Sequence, residues 1–162
     1  MSAEGLQMVK TICVMLAMAL ATASPSLVSQ TKSDAALDTA LIRALNADEL
    51  GMKKYVMAFL KAGPNRNQDS AAAARLQSAH LAHIRRMAEA GKLVIAGPFL
   101  DENDIRGIYI FNVESIEEAK ALTSADPAVK AGRLVMELHP WYGSAALQKV
   151  TEIHARIQSK SF

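Results

Sequence analysis

The chain has 162 residues, of which 51% are hydrophobic and 21% are charged, and its formal net charge is +2 at pH 7. This length predicts one domain plus whatever the N-terminus adds, and the hydrophobic fraction is ample for a core. Acidic and basic residues are mixed along the chain without a basic run or an aromatic cluster, so the composition gives no support to nucleic-acid binding.

The first residues have the layout of a secretory signal peptide over residues 1–23. Lys10 precedes an apolar run at 11–23, which ends in Ala-Thr-Ala and is too short to span a bilayer comfortably. We therefore expect cleavage and export to the periplasm or the medium, with no membrane attachment afterwards. The alternatives are an uncleaved anchor or the N-terminal helix of a cytosolic protein, and Met8 is a second candidate for the start.

The single cysteine, Cys13, lies inside that apolar run. Cleavage would leave a mature protein without cysteine, which excludes disulfides, thiol nucleophiles and cysteine metal sites. An oxidising compartment is compatible with this composition but is not required by it.

Hydrophobic periodicity after the signal peptide predicts four strands and two principal helices, flanked by two further helices. In chain order the elements are a helix at 34–48, a strand within 53–63, a helix from Asp69 or Ser70 to Gly91, strands at 92–99 and 105–113, a helix at 115–125, a turn at 126–132, a strand at 133–142 stopped by Pro140, and a helix at 144–158. The corresponding divisions are a signal peptide (1–23), a linker with the N-terminal helix (24–50), the main domain (51–143) and a C-terminal helix (144–162).

The order strand, helix, strand, strand, helix, strand predicts an α+β fold of the ferredoxin-like βαββαβ type. The sheet would be antiparallel, and both helices would cover the same face.

The opposite face of that sheet is also predicted to be apolar. The third strand has Ile108 and Ile110 on one side and Tyr109, Phe111 and Val113 on the other. A half-solvated sheet should alternate apolar with polar residues, and a bare apolar face usually marks an interface. We therefore expect a second copy to cover this face in a two-fold homodimer, and the alternative is that the two flanking helices cover it within one chain.

Two histidines, His80 and His83, lie one helical turn apart on the apolar side of the second predicted helix. They could be hydrogen-bonded core residues, two ligands of a metal, or part of an acid/base pair. No further ligands complete a metal site at a recognisable spacing, so no metal is expected. The candidate partner for an acid/base pair is Asp126, although Asp before Pro127 is equally typical of a helix N-cap.

Several segments resemble the YCII-related (YciI-like) family over roughly residues 52–143. They are "AHL" at 79–81, "GKLVIAGPF" at 91–99, "SIEEAKAL" at 115–122, "ADPAVKAG" at 125–132 and "HPWYG" at 139–143. The resemblance implies a dimeric α+β barrel of ferredoxin-like subunits and an active site built from a histidine–aspartate pair. By position these two residues are His80 and Asp126, and His83 has no counterpart. The helices at 34–48 and 144–158 depart from the family pattern.

Further candidates for substrate binding come from the predicted strand ends and from the last strand. Gly97 and Pro98 end the second strand, where a glycine lets backbone approach a ligand. Arg133 and His139 alternate on the last strand with Glu137, although this would equally be a solvated edge face. Trp141 could line a cleft or anchor the core.

Three functions are compatible with this pattern. The first is a small-molecule enzyme without metal or organic cofactor, in which His80 performs acid/base chemistry in an elimination, isomerisation or hydrolysis. The second is a non-catalytic exported dimer that binds a small ligand in the same cleft. In the third, the flanking helices mediate assembly with a partner.

Overall fold

In the computed structural model, which describes residues 36–160, four antiparallel strands form a single sheet. The strands are β1 (Met52–Ala62), β2 (Leu93–Pro98), β3 (Ile105–Phe111) and β4 (Leu134–Ser144). Their order is β2-β3-β1-β4, so β1 and β3 are central and β2 and β4 form the edges. The predicted signal peptide lies outside the described residues.

Helices connect and flank the strands. They are α1 (Thr39–Ala44), α2 (Ser70–Glu89), α3 (Ile116–Ser124), α4 (Pro127–Lys130) and α5 (Val150–Ile157), with a 3-10 helix at Ala145–Lys149. Two of them, α2 and α3, pack against one face of the sheet. The chain order β1-α2-β2-β3-α3-β4 is that of a ferredoxin-like α+β fold, which confirms the expected fold class. No helix within residues 36–160 has the length and apolar character needed to cross a membrane.

The helix boundaries follow capping residues that are visible in the sequence. The Asp69 carboxylate accepts a hydrogen bond from the backbone N–H of Ala72 at 2.7 Å, and the Ser115 hydroxyl accepts one from the N–H of Glu118 at 3.1 Å. Such side-chain acceptors satisfy N–H groups that have no partner in the first turn of a helix. Gly91 follows α2 with φ 67°, the left-handed conformation in which glycine commonly ends helices.

Strand β4 continues through Pro140, where the sequence was expected to stop it. The strand reaches Ser144, and Pro140 lies opposite Val56 of β1. The physical reason is that β4 is an edge strand. Half of the N–H groups of an edge strand face away from the sheet, so a residue without an N–H can be accommodated there.

The main core lies between the sheet and the helices. Its buried members include Val56, Ala58 and Leu60 of β1, Tyr109 and Phe111 of β3, Ile84 and Met87 of α2, and Ala119 of α3. Burial of each large apolar side chain contributes about 1.5–3 kcal/mol, so this cluster fixes the helices on the sheet. The predicted orientation of the histidine-bearing side of α2 toward the sheet is confirmed, because His80 and His83 are buried with Ile84 and Met87.

The opposite sheet face is covered only in part by the described residues. At one end Tyr55, Val94 and Ile110 are buried, with Trp141 and with Leu147 of the 3-10 helix packed against them. At the other end Phe59 and Ile108 stay partly exposed, and Val135 is 46% exposed. The segment after β4 therefore covers one half of this face and leaves the other half open.

Both flanking helices are shorter than their apolar periodicity suggested. Helix α1 spans Thr39–Ala44, and Asn46 follows it with φ 50°, which ends the helical path. Residues 145–149 form a 3-10 helix, so α5 begins only at Val150. Neither α1 nor α5 contains a buried residue. Because short helices depend on tertiary packing for their stability, nothing stabilises additional turns at their ends.

Candidate active site

A cavity of about 510 Å³ lies between α2 and the helix-facing side of the sheet. Its apolar wall includes Leu60, Leu81, Ile84, Ala96, Pro98, Ala128 and Leu134, and its polar wall consists of Arg66, Gln77, His80, Arg106, Tyr109 and Arg133. An apolar cleft with a few convergent polar groups is the usual form of a small-molecule site.

His80 contributes the imidazole of this wall from the middle of α2. Its Nδ1–H donates a hydrogen bond of 2.7 Å to Oδ2 of Asp126, because an ionised carboxylate can only accept. His80 is 7% exposed and Asp126 is fully buried. This bond keeps the neutral ring in the tautomer that leaves Nε2 without a proton.

Asp126 is held in place by the start of α4. It precedes Pro127, and its Oδ1 accepts a hydrogen bond of 2.8 Å from the backbone N–H of Ala128. The helix cap and the histidine partner, which the sequence presents as alternatives, are therefore both present, with one carboxylate oxygen for each. A buried carboxylate needs such partners, because removing one member of a buried pair typically costs about 3–5 kcal/mol.

Tyr109 of β3 completes the surroundings of the imidazole. Its hydroxyl lies 3.3 Å from Nε2 of His80, and the two rings are stacked with an interplanar angle of 22°. Burial strongly raises the pKa of the Tyr109 phenol, and the nearby Asp126 carboxylate adds to the rise. The hydroxyl therefore stays protonated and donates to Nε2 of the neutral ring. The sequence pattern placed Tyr109 on the side of the strand opposite Ile108 and Ile110, but it did not connect Tyr109 with His80.

His83 has a different environment from His80. Its Nε2–H donates to the backbone carbonyl of Leu122 at 2.9 Å, and Nη2 of Arg86 lies 3.4 Å from its Nδ1. These contacts link α2 to α3 outside the cavity lining. His83 is therefore a hydrogen-bonded core histidine, as its lack of a family counterpart implied.

Three arginines, Arg66, Arg106 and Arg133, lie at the cavity, and of these only Arg133 belongs to the substrate-binding residues predicted above. The strand alternation that grouped Arg133 with Glu137 and His139 was wrong, because Arg133 precedes β4 and lines the cavity beside Leu134. Arg106 reaches the cavity through an irregularity in β3, where the pairing with β1 shifts between Leu60 and Lys61 and adds one residue to β3. Such a bulge re-aims a side chain, and Gly107 inside the strand is the sequence signal that could have indicated it.

Gly97 and Pro98 lie where the sequence placed them, at the end of β2 and on the cavity wall. Opposite them, Gly107 of β3 approaches the backbone of β2 so closely that a Cβ atom would collide with it. The wall is therefore backbone at this point, and a ligand can approach it without meeting a side chain.

His139 and Trp141 do not reach this cavity, so their predicted place in its lining is corrected. Both lie on the opposite sheet face, since they alternate with Leu138, which packs toward the helices. Trp141 packs near Tyr55 with ring centroids 5.8 Å apart, and Nε2 of His139 lies 2.9 Å from Glu137.

A metal site finds no support in the described geometry. Within residues 36–160 no three side chains of His, Cys, Asp or Glu cluster closely enough to hold an ion. The two histidines of α2 direct their rings to different partners, one to a carboxylate and the other to a backbone carbonyl.

These residues define a class of protein: ferredoxin-like α+β domains that hold a buried histidine–aspartate pair at a cavity. Residues 55–142, more than half of the chain, match the family model of the YCII-related domain. The chain therefore belongs to the YCII-related family, and the resemblance seen in the sequence is confirmed.

Among curated proteins none is significantly similar in sequence. Among solved structures, one similar to the chain is a 5-chloro-2-hydroxyhydroquinone dehydrochlorinase from Burkholderia phenoliruptrix AC1100, in complex with 2,5-dihydroxybenzoquinone. The similarity covers 53% of this chain and 92% of that one, with 22% sequence identity and a TM-score of 0.41.

Proposed function

We propose that the chain is a small-molecule enzyme in which His80 transfers a proton and Asp126 orients it. The observation that carries this proposal is the 2.7 Å hydrogen bond between the two buried side chains at the cavity wall. A histidine fixed in one tautomer by a carboxylate is a common arrangement for general acid/base catalysis.

The proton would move at Nε2 of His80. Nδ1 already donates to Asp126, so Nε2 is the unprotonated nitrogen of the neutral ring. A substrate group would replace the Tyr109 hydroxyl, which lies 3.3 Å from Nε2. Once the ring is protonated, the Asp126 carboxylate stabilises the imidazolium. The imidazolium can then return the proton to a leaving group or to another atom of the substrate. This sequence serves elimination, isomerisation and hydrolysis alike.

The test uses His80→Asn rather than His80→Ala. The asparagine amide can still donate to Asp126 but cannot act as a base, whereas alanine would leave a buried carboxylate without its partner. Small aromatic acids and lactones are screened against the protein by thermal shift, and binders are followed for conversion by NMR. We expect His80→Asn to abolish conversion, and we expect His83→Asn, on the same helix but outside the cavity, to retain it. Conversion by His80→Asn at the wild-type rate would refute the proposal.

The second candidate is a dimeric protein that binds a small ligand without converting it. The observation in its favour is the cover over Nε2, since His80 is 7% exposed and Tyr109 caps the ring. Ligands that bind and are never converted, with equal affinity for wild type and Asp126→Asn, would support this candidate over the enzyme.

We further propose that the open part of the second sheet face is covered by the same face of a second copy. Phe59, Ile108 and Val135 are apolar and partly exposed there, and no described element lies over them. Such apolar patches on sheets usually mark interfaces, and a two-fold dimer matches each patch with itself.

Export is proposed from the sequence of residues 1–23 alone, which lie outside the described residues. The test is the N-terminal sequence of the protein recovered from periplasm or medium. A start near residue 24 would support cleavage, and recovery of the uncleaved chain in the cytosol would contradict it.

A further inference from the structure

The three cavity arginines meet at one end of the sheet. β1 ends at Ala62 and its two neighbours run antiparallel to it, so β3 and β4 begin beside that end, with Ile105 and Val135 both opposite Lys61. Arg66 follows β1, Arg106 lies at the start of β3, and Arg133 immediately precedes β4.

None of the three guanidinium groups forms an ion pair with a carboxylate of residues 36–160. Arg66 donates through Nη1 to the carbonyl of Arg133 at 3.2 Å, and Arg133 donates to Oε1 of Gln68 at 2.9 Å. Nε of Arg106 is buried and has no hydrogen-bond partner in the described part of the chain. Buried donors normally have a hydrogen-bond partner, so Nε of Arg106 is available to an acceptor group of a ligand.

The other residues of the cavity wall indicate the charge and the polarity of the ligand. No acidic residue among those described lines the cavity, so the nearby charges favour an anion. The other walls are largely apolar, with Leu60, Leu81 and Ile84 among them. Guanidinium groups match planar carboxylates with two parallel hydrogen bonds, which favours a carboxylate as the anionic group.

We propose that the cavity binds a small organic acid, with its carboxylate on Arg66, Arg106 and Arg133 and its apolar body reaching toward His80. Tyr109 lies three residues after Arg106 on β3, about 10 Å along the strand at about 3.3 Å per residue. An acid with one aromatic ring spans such a distance, so its reacting bond would lie near Nε2 of His80 while its carboxylate stays at the arginines. This inference rests on the proposed function only in taking this cavity as the substrate site.

The experiment compares acids with their neutral amides on the full protein. The probes are phenylacetate and 3-phenylpropionate, each paired with its amide, and affinities are measured by ligand titration in NMR. The variants are Arg106→Gln and Arg133→Gln, and Arg85→Gln is the matched control because Arg85 is an exposed residue of α2 outside the cavity lining.

We expect each acid to bind the wild type at least about tenfold more tightly than its amide, because charge-assisted hydrogen bonds to a carboxylate are stronger than hydrogen bonds to a neutral amide. Arg106→Gln and Arg133→Gln should each weaken the acid at least about tenfold and leave the amide unchanged, which also shows that the cavity is intact. Arg85→Gln should change neither affinity. Equal binding of acid and amide, no binding of either acid below about 10 mM, or full acid affinity in both cavity variants would overturn the inference.

His80→Asn separates this inference from the proposed function. Acid binding that survives in His80→Asn, together with no conversion of any acid by wild type, would reject the enzyme and keep the arginine site. Conversion that depends on His80 but shows no preference for acids would reject the arginine site and keep the enzyme.

Discussion

The carboxylate of Asp126 makes two hydrogen bonds at the candidate site, and the sequence indicates only one of them clearly. Asp-Pro at the start of a helical turn predicts an N-cap, and Oδ1 of Asp126 makes that bond to Ala128. The bond from His80 to Oδ2 joins residues 46 positions apart, so only the tertiary fold creates it. The sequence pattern alone could name the pair, through the family resemblance, but could not show that both roles coexist.

The dual role predicts how stability responds at residue 126. Asp126→Ala should lower the free energy of unfolding by about 2–4 kcal/mol, because it removes the cap and leaves the Nδ1–H of His80 buried without an acceptor. Asp69→Ala is the matched control, since Asp69 caps α2 at an exposed position and should cost about 1 kcal/mol. Urea unfolding measures both. Equal losses would show that the contact with His80 contributes nothing to stability.

Tyr109 predicts a loss of stability at alkaline pH. Burial raises the pKa of its phenol, so the folded chain keeps a proton that the unfolded chain loses near pH 10. Because the folded state then binds more protons, the free energy of unfolding should fall above about pH 10, by up to about 1.4 kcal/mol per pH unit. Tyr109→Phe should flatten this fall. Urea unfolding between about pH 8 and 11 tests it, and parallel curves for the two proteins would contradict the assignment.

At the scale of elements, the strand pattern predicts faces well until a strand becomes irregular. Alternation correctly places Tyr109 and Phe111 opposite Ile108 and Ile110. The same alternation would send Arg106 to the side of Ile108, but the added residue in β3 brings it to the cavity. Gly107 beside the bulge is an ambiguous signal, because a glycine inside a strand is equally typical of a close backbone approach, which Gly107 also makes here.

Two glycines with the same backbone conformation should differ in the stability that is lost when each is replaced by alanine. Gly132 lies in the turn between α4 and β4, and Gly91 follows α2. Gly91 and Gly132 both have φ 67°, but a Cβ at Gly91 meets nothing, whereas one at Gly132 would lie 2.5 Å from Nδ2 of Asn65. Gly91→Ala should therefore lower the free energy of unfolding by only about 1–2 kcal/mol, the cost of holding an alanine in the left-handed conformation. Gly132→Ala should cost more, because Asn65 must move and lose its bond to the Ala131 carbonyl.

Thermal or urea unfolding of both variants tests this contrast. Gly132→Ala should also disturb the loop that carries Arg66, which an NMR comparison of backbone amides would detect. Equal losses for the two variants would mean that the Asn65 side chain moves away without cost.

At the scale of the whole molecule, the order of elements was enough to predict the ferredoxin-like fold, because local periodicity and turns leave few topologies open. The cavity was predictable only in part. Gly97 and Pro98 end a strand at the cavity, whereas His139 and Trp141 belong to the other face of the sheet. Their place depends on which face of β4 meets the helices, and both faces of that strand contain large side chains.

The open half of that second face predicts the oligomeric state. We expect the wild type to sediment as a dimer at about 100 µM, because partly exposed apolar residues there can be buried against a second copy. Val135→Lys should give a monomer, since the new ammonium lies opposite Lys61 and would be buried at the interface without a partner. Leu100→Lys is the control, because Leu100 is 99% exposed in the turn between β2 and β3. A monomeric wild type, or a Val135→Lys variant that stays dimeric, would show that this face is not the interface.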